Sequence, residues 1–213
     1  MLFRSVGDGG VLQTQGQLDA ALRAFTEALA ISRRLADLDP GNADWQRNLA
    51  VVHNRAGGVL QTQGQLDAAL RAFTDDLAIS RRLADLDPGN ADWQRELAVA
   101  YNCVGRALLA QGQLDAALYA FTEALAISRR LADLDPGNAT WQRDLAVSCV
   151  HIAGLEAARD KPQVPIALCE EASQILAALT ATLPETHPWR SDKDNVDRWL
   201  AHYRALAADD NSG

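Results

Sequence analysis

The stretch Asp87–Tyr101, DPGNADWQRELAVAY, has a near twin 48 residues earlier, Asp39–His53, DPGNADWQRNLAVVH. A third version follows 48 residues later, Asp135–Cys149, DPGNATWQRDLAVSC. One passage written three times at one spacing makes internal duplication the first thing to establish. Trp45, Trp93, Trp141 and Trp189 all keep the interval, so a fourth copy holds register although its surroundings have diverged. Gly16, Gly64 and Gly112 repeat with it, and Asp160 stands in the fourth place. Residues 13–60 and 61–108 align without a gap and differ at nine positions. A period of this length belongs to solenoids and arrays, in which each unit hides its apolar face against the next.

Within a unit the apolar spacing is helical. Trp93, Leu97, Tyr101, Val104 and Leu108 recur at three- and four-residue steps, the stripe of one helix. Asn90 is a suitable N-cap, Asp92 lies in the first turn where the dipole favours negative charge, and Gly112 ends the helix. A second helix follows from about Gln113 to Leu134. Leu114, Ala117, Leu118, Phe121, Leu125, Ser128 and Leu131 form its face, widened by Ile127 and Leu134. Asp135-Pro136-Gly137 stops it, because proline disfavours helix in the residue before it. Both helices are roughly 30 Å long at 1.5 Å per residue.

This pattern resembles the tetratricopeptide repeat. The resemblance is carried by Val104–Leu125, VGRALLAQGQLDAALYAFTEAL, with the small residue Gly105, apolar Leu108, the turn glycine Gly112, close-packing Ala117, aromatic Phe121 and Ala124. Gly57, Leu60, Gly64, Ala69 and Phe73 match in the preceding copy. The family's usual repeat is 34 residues; here Pro40, Pro88 and Pro136 arrive about two turns late, as one added heptad on each helix would require. The family's aromatic before the small residue is Tyr101, but His53 and Cys149 fill that place elsewhere. The resemblance implies an all-α solenoid, a right-handed superhelix of antiparallel helix pairs, and a concave surface lined by first helices.

Composition narrows the class. Three cysteines give no disulfide framework, and no run of about 18 apolar residues is present to span a membrane. The start, MLFRSVGDGG, lacks the apolar core of a signal peptide, so the expected compartment is the cytoplasm. A net charge of −8 argues against nucleic acid or an anionic membrane as partner. The pairs Arg33-Arg34, Arg81-Arg82 and Arg129-Arg130 recur once per unit, but Asp37, Asp39, Asp85, Asp87, Asp133 and Asp135 accompany them, as on a solvated, salt-bridged face.

The two ends differ. Toward the C-terminus Thr186 replaces the asparagine N-cap, Trp189 keeps its place, and Val196, Leu200 and Tyr203 continue one stripe with polar residues opposite. That is a capping helix, with Trp199 outside the stripe. Toward the N-terminus no Trp-Gln-Arg segment precedes Leu12, and FRSVGDGGVLQTQ holds three glycines, each costing about 1 kcal/mol relative to alanine in a helix. Leu2, Phe3, Val6, Val11 and Leu12 would leave Leu22, Phe25 and Leu29 weakly covered. Either the natural protein extends upstream or residues 1 to about 38 form a homodimer edge.

No catalytic constellation, cofactor motif or metal set stands out. His53 aligns with Tyr101 and Cys149 in a core slot, and His151, His187 and His202 are far apart. Cys149 and Cys169 align with aromatic core positions, and Cys103 is expected to be more exposed. The candidates for binding lie on the first helices: Arg47, Arg95 and Arg143 as a ladder, Asn54 and Asn102 beyond it, with Arg55, Val99, Arg106 and His151 beside them. Such a ladder could grip an acidic peptide's carboxylates and backbone. The alternative is that Asp92, Glu96 and Asp144 pair with these arginines between repeats. Six of the nine differences between the first two copies fall at Val52, His53, Arg55, Ala56, Gly58 and Val59, the later half of a first helix.

The expectation is one tetratricopeptide-like domain over 1–213, with units at about 1–40, 41–88, 89–136 and 137–184 and a capping helix at about 186–207. Its expected role is a non-enzymatic scaffold that binds a protein or peptide in its groove. The alternative is a self-assembling array or the sensor or adaptor arm of a larger bacterial signalling protein. The fold itself does not name the partner.

Overall fold

The computed structural model describes residues 17–157, 159, 163–181 and 183–210. The expectations placed on Leu2, Phe3, Val6, Val11 and Leu12 lie outside the described residues, but Phe25, expected to be weakly covered, is fully buried against Val52, Ala56 and Val59. Among those residues the regular structure is helical: α1 (Leu18–Leu38), α2 (Ala43–Thr62), α3 (Leu66–Leu86), α4 (Ala91–Ala110), α5 (Leu114–Leu134), α6 (Ala139–Ala157), α7 (Gln163–Thr180) and α8 (Pro188–Asp210). They fall into two compact units, one up to Gln113 and one from Leu114 onward. Inside each unit every helix packs on the next.

The helix ends follow from local chemistry. Asn42, Asn90 and Asn138 each accept the amide N–H of the tryptophan three residues on, at 3.1 Å. Gly64 and Gly112 adopt φ of +75° and +74°, which lets Gln65 and Gln113 donate back to the Leu60 and Leu108 carbonyls at 2.9 Å. In each Asp-Pro-Gly turn the aspartate side chain accepts from the glycine amide: Gly41 to Asp39, Gly89 to Asp87, Gly137 to Asp135. At the capping helix the expected Thr186 is not the cap. α8 starts at Pro188, and Trp189 donates its amide to His187 Nδ1 at 3.3 Å.

The Trp-Gln-Arg triplet divides its labour. The glutamine ties its helix to the one before it: Gln46, Gln94 and Gln142 donate to the carbonyls of Ala36, Ala84 and Ala132, at 3.4, 3.2 and 3.0 Å. Those carbonyls lie in the last turn of a helix, where no intrahelical partner remains. The arginine reaches the next first helix, Arg47 to Glu96 and Arg143 to Asp192. The tryptophans are half-buried rather than fully buried, with Trp93 laid against a cluster of Ala36, Leu49, Ala50, Ile79 and Leu83. The reason is geometric: the first turn of a helix sits at the border of the core.

The deep core is made by the second helices. Phe25, Phe73 and Phe121 are fully buried or nearly so. Phe25 packs with Val52, Ala56 and Val59 of α2. A Cβ added at Gly57 would stand 2.7 Å from the Phe73 ring, so the small residue admits the aromatic. In the second unit Leu145, Cys149, Cys169 and Leu176 join Val196, Leu200 and Tyr203 of α8, which makes α8 the expected cover. Trp199 stays 43% exposed. Leu134, assigned above to the apolar face, is 70% exposed, because it closes α5 beyond the last packed turn.

Candidate functional site

In the first unit, α2, α3 and α4 enclose a cavity of about 270 Å³ lined by Ala50, Val51, Asn54, Arg55, Asp76, Ser80, Arg95, Glu96 and Val99. Burial orders these residues in depth. Ala50, Asp76 and Ser80 are at most 5% exposed and form the floor, whereas Val51 and Val99 are exposed at the rim beside Arg55. Four of the expected residues, Asn54, Arg55, Arg95 and Val99, therefore converge on one hollow. Arg47 sits next to it and is held by Glu96, Nε to Oε1 at 2.6 Å, which keeps its guanidinium firmly charged. Asn102 and Arg106 lie further along α4, and Arg106 donates to Cys103 Sγ at 3.5 Å.

Arg143 and His151 belong to the second unit. Arg143 bonds Asp192 at 2.8 Å and lies over the Trp189 ring at 5.8 Å. His151 stacks on Phe121 with ring centroids 4.9 Å apart. Two rungs of the arginine ladder thus join neighbouring repeats, in line with the second reading of these residues above.

Asp76 is the residue that motif reading missed. It is 5% exposed and accepts from Asn54 Nδ2 at 2.8 Å and from Ser80 Oγ at 3.0 Å. Burial raises its pKa to about 6; the two hydrogen bonds lower it and the Glu96 carboxylate raises it further. The signal lay among the copies: Ala28 and Ala124 occupy the same register, both fully buried. The differences outside α2's later half and its counterpart are Asp75, Asp76 and Glu96; Asp75 stands for Glu27, whereas Asp76 for Ala28 and Glu96 for Asn48 each add a carboxylate. Asp75 Oδ2 is 3.6 Å from His53 Nδ1. Burial still lowers the His53 pKa, so the ring is neutral at pH 7.

Elsewhere the chemistry is quiet. Cys103, Cys149 and Cys169 are buried free thiols; burial pushes Cys149 up to about 12 and Cys169 up to about 11. Cys103 is less exposed than expected because Asn54 donates to its sulfur from the facing helix, at 3.5 Å. Among the described residues no three His, Cys, Asp or Glu side chains are placed to hold a metal ion, and no helix is long and apolar enough to cross a membrane.

A family model for the tetratricopeptide repeat matches residues 9–40 and 97–135. These two stretches carry tetratricopeptide-type repeats. No curated protein matches it in sequence. Among solved structures it is similar to BtubC (BKLC) from P. vanneervenii, with a TM-score of 0.69, 16% identity, and 94% of this chain and 70% of that one covered. It is also similar to a Podosopora anserina protein described as a kinesin light chain with nearly identical TPR-like repeats. There the TM-score is 0.57, the identity 18%, and the coverage 100% of this chain and 97% of that one. At these identities the likeness shows the fold, an α-solenoid of tetratricopeptide type.

Proposed function

We propose that this tetratricopeptide-repeat chain is a non-catalytic scaffold that binds a protein partner along the first-helix face, with the cavity between α2 and α4 as its main contact. The observation that carries this reading is the rim itself. Val51 and Val99 expose apolar surface at equivalent positions of adjacent repeats, 38% and 36%, flanked by charged and amide groups. Apolar walls with a few placed polar groups are the general make-up of a recognition site. Arg47 and Arg143 are engaged by carboxylates, and Arg55, exposed at the cavity rim, is the cation that favours an acidic segment.

The test is partner capture by the purified chain against the double variant Val51→Asp, Val99→Asp. Both side chains are at the surface, so circular dichroism and melting should be unchanged while capture is lost. Capture retained by the folded variant would place the partner elsewhere.

A further inference from the structure

We propose that the cavity between α2 and α4 takes a lysine side chain of the partner segment, with its ammonium on Asp76 and its aliphatic stem between Val51 and Val99. This rests on the groove reading and specifies what enters it.

The fold does not require an acid at this position. Ala28 and Ala124 hold the same register with full burial, so a methyl group satisfies the packing. A buried carboxylate is costly unless a cation or several donors compensate it. Asp76 has two neutral donors, Asn54 and Ser80, and among the described residues no cation pairs with it. The charged group that acts on it is Glu96, a second carboxylate, itself bonded to Arg47. The floor of the open hollow thus carries one carboxylate, Asp76, with no cation among the described residues bonded to it, while Arg55 and Arg95 lie elsewhere in the lining.

Shape and donor geometry favour an ammonium. Asn54 gives its amide nitrogen to Asp76, and its carbonyl oxygen keeps its capacity to accept. Each Asp76 oxygen already holds one donor, so the free acceptor positions are separate rather than paired. An ammonium, a compact charge with three donors, suits separate acceptors; a guanidinium fork seeks both carboxylate oxygens at once. The exposed valines suit a methylene stem, as long cationic side chains keep theirs on apolar surface. Arg55, exposed at the rim, favours acidic residues flanking the lysine.

The experiment uses the full chain and two capped tripeptides, acetyl-Glu-Lys-Glu-amide and its norleucine analogue, which keeps the stem and removes the ammonium. Binding is followed by the side-chain amide resonances of Asn54 and the carboxyl carbon of Asp76. The lysine peptide should shift both saturably, bind at least tenfold more tightly than the norleucine peptide, and lower the Asp76 titration midpoint. Asp76→Ala, which restores the residue of the sister repeats and so retains the fold, should reduce the lysine peptide to the norleucine level. Equal binding of the two peptides, no binding of either, or a lysine preference that survives in Asp76→Ala would each overturn the pocket. The groove reading fails separately, through partner capture that ignores the Val51 and Val99 substitutions.

Discussion

Arg47 Nε lies 2.6 Å from Glu96 Oε1, a carboxylate 49 residues along the chain and on the next first helix of the same unit. Arg143 and Asp192 repeat the relationship at the same separation. One repeat plus one residue is the step that carries a side chain across to its neighbour. A second step, 44 residues, joins helix ends: Gln63 to Asp19, Gln111 to Asp67 and Arg159 to Asp115. Repetition thus gives each unit the same polar clasps, and their strength can be measured. The Arg47 side chain is 46% exposed, so solvent screening keeps its pair weak. A double-mutant cycle with Arg47→Ala and Glu96→Ala in urea should give a coupling of about 0.5 kcal/mol that shrinks as salt is added.

Asp76 should make stability depend on pH in an unusual direction. Its folded-state pKa is raised to about 6, above an unfolded value of about 3.9. The native state therefore holds the proton more tightly, and stability falls as pH rises from about 4 to about 6, then stays lower. Two pH units correspond to about 3 kcal/mol. In Asp76→Asn that component should vanish, so the variant gains on the parent between pH 4 and pH 7 by up to about 3 kcal/mol. Urea titrations of both chains across this range check it; parallel curves would show that Asp76 titrates normally.

Much of the fold could be read in the sequence, and the reasons are local. Asn90 as N-cap, Gly112 as the left-handed stop and the Asp-Pro-Gly turns depend on residues within a few positions of one another, which is what a sequence displays. The convergence of Asn54, Arg55, Arg95 and Val99 followed from helical phase in two aligned copies. The partners of Arg47 and Arg143 were harder, because they depend on how far apart two first helices stand. Asp76 was missed for a different reason. It lies on a second helix, which reads as scaffold, and only its register with Ala28 and Ala124 marks it as out of place.

The half-buried tryptophans should matter less than their strict spacing implies. Full truncation of a buried aromatic costs about 3–5 kcal/mol. Phe73, 1% exposed, should reach that range when changed to alanine. Trp93 rests on its cluster with part of its ring in water, so Trp93→Ala should cost about 2 kcal/mol. Urea midpoints for the two variants, with equal slopes, decide the ranking; a loss for Trp93 as large as that for Phe73 would return the tryptophans to the core.

Gly57 offers the sharpest test of how α2 meets α3. It sits inside a helix, where alanine would ordinarily add about 1 kcal/mol of stability. Here a Cβ would lie 2.7 Å from one carbon of the Phe73 ring and 2.8 Å from the next. Phe73 is fully packed, so the ring cannot swing aside, and the helices must separate instead. Overpacking of this kind costs about 1–3 kcal/mol, which outweighs the helix gain. Gly57→Ala should therefore destabilise the chain by about 1–2 kcal/mol in urea unfolding. Phe73→Leu removes ring atoms at the point of contact, so Gly57→Ala should be nearly neutral, or stabilising, when made in the Phe73→Leu background. A cost that is the same in both backgrounds would mean that some neighbour other than Phe73 sets the size limit at this position.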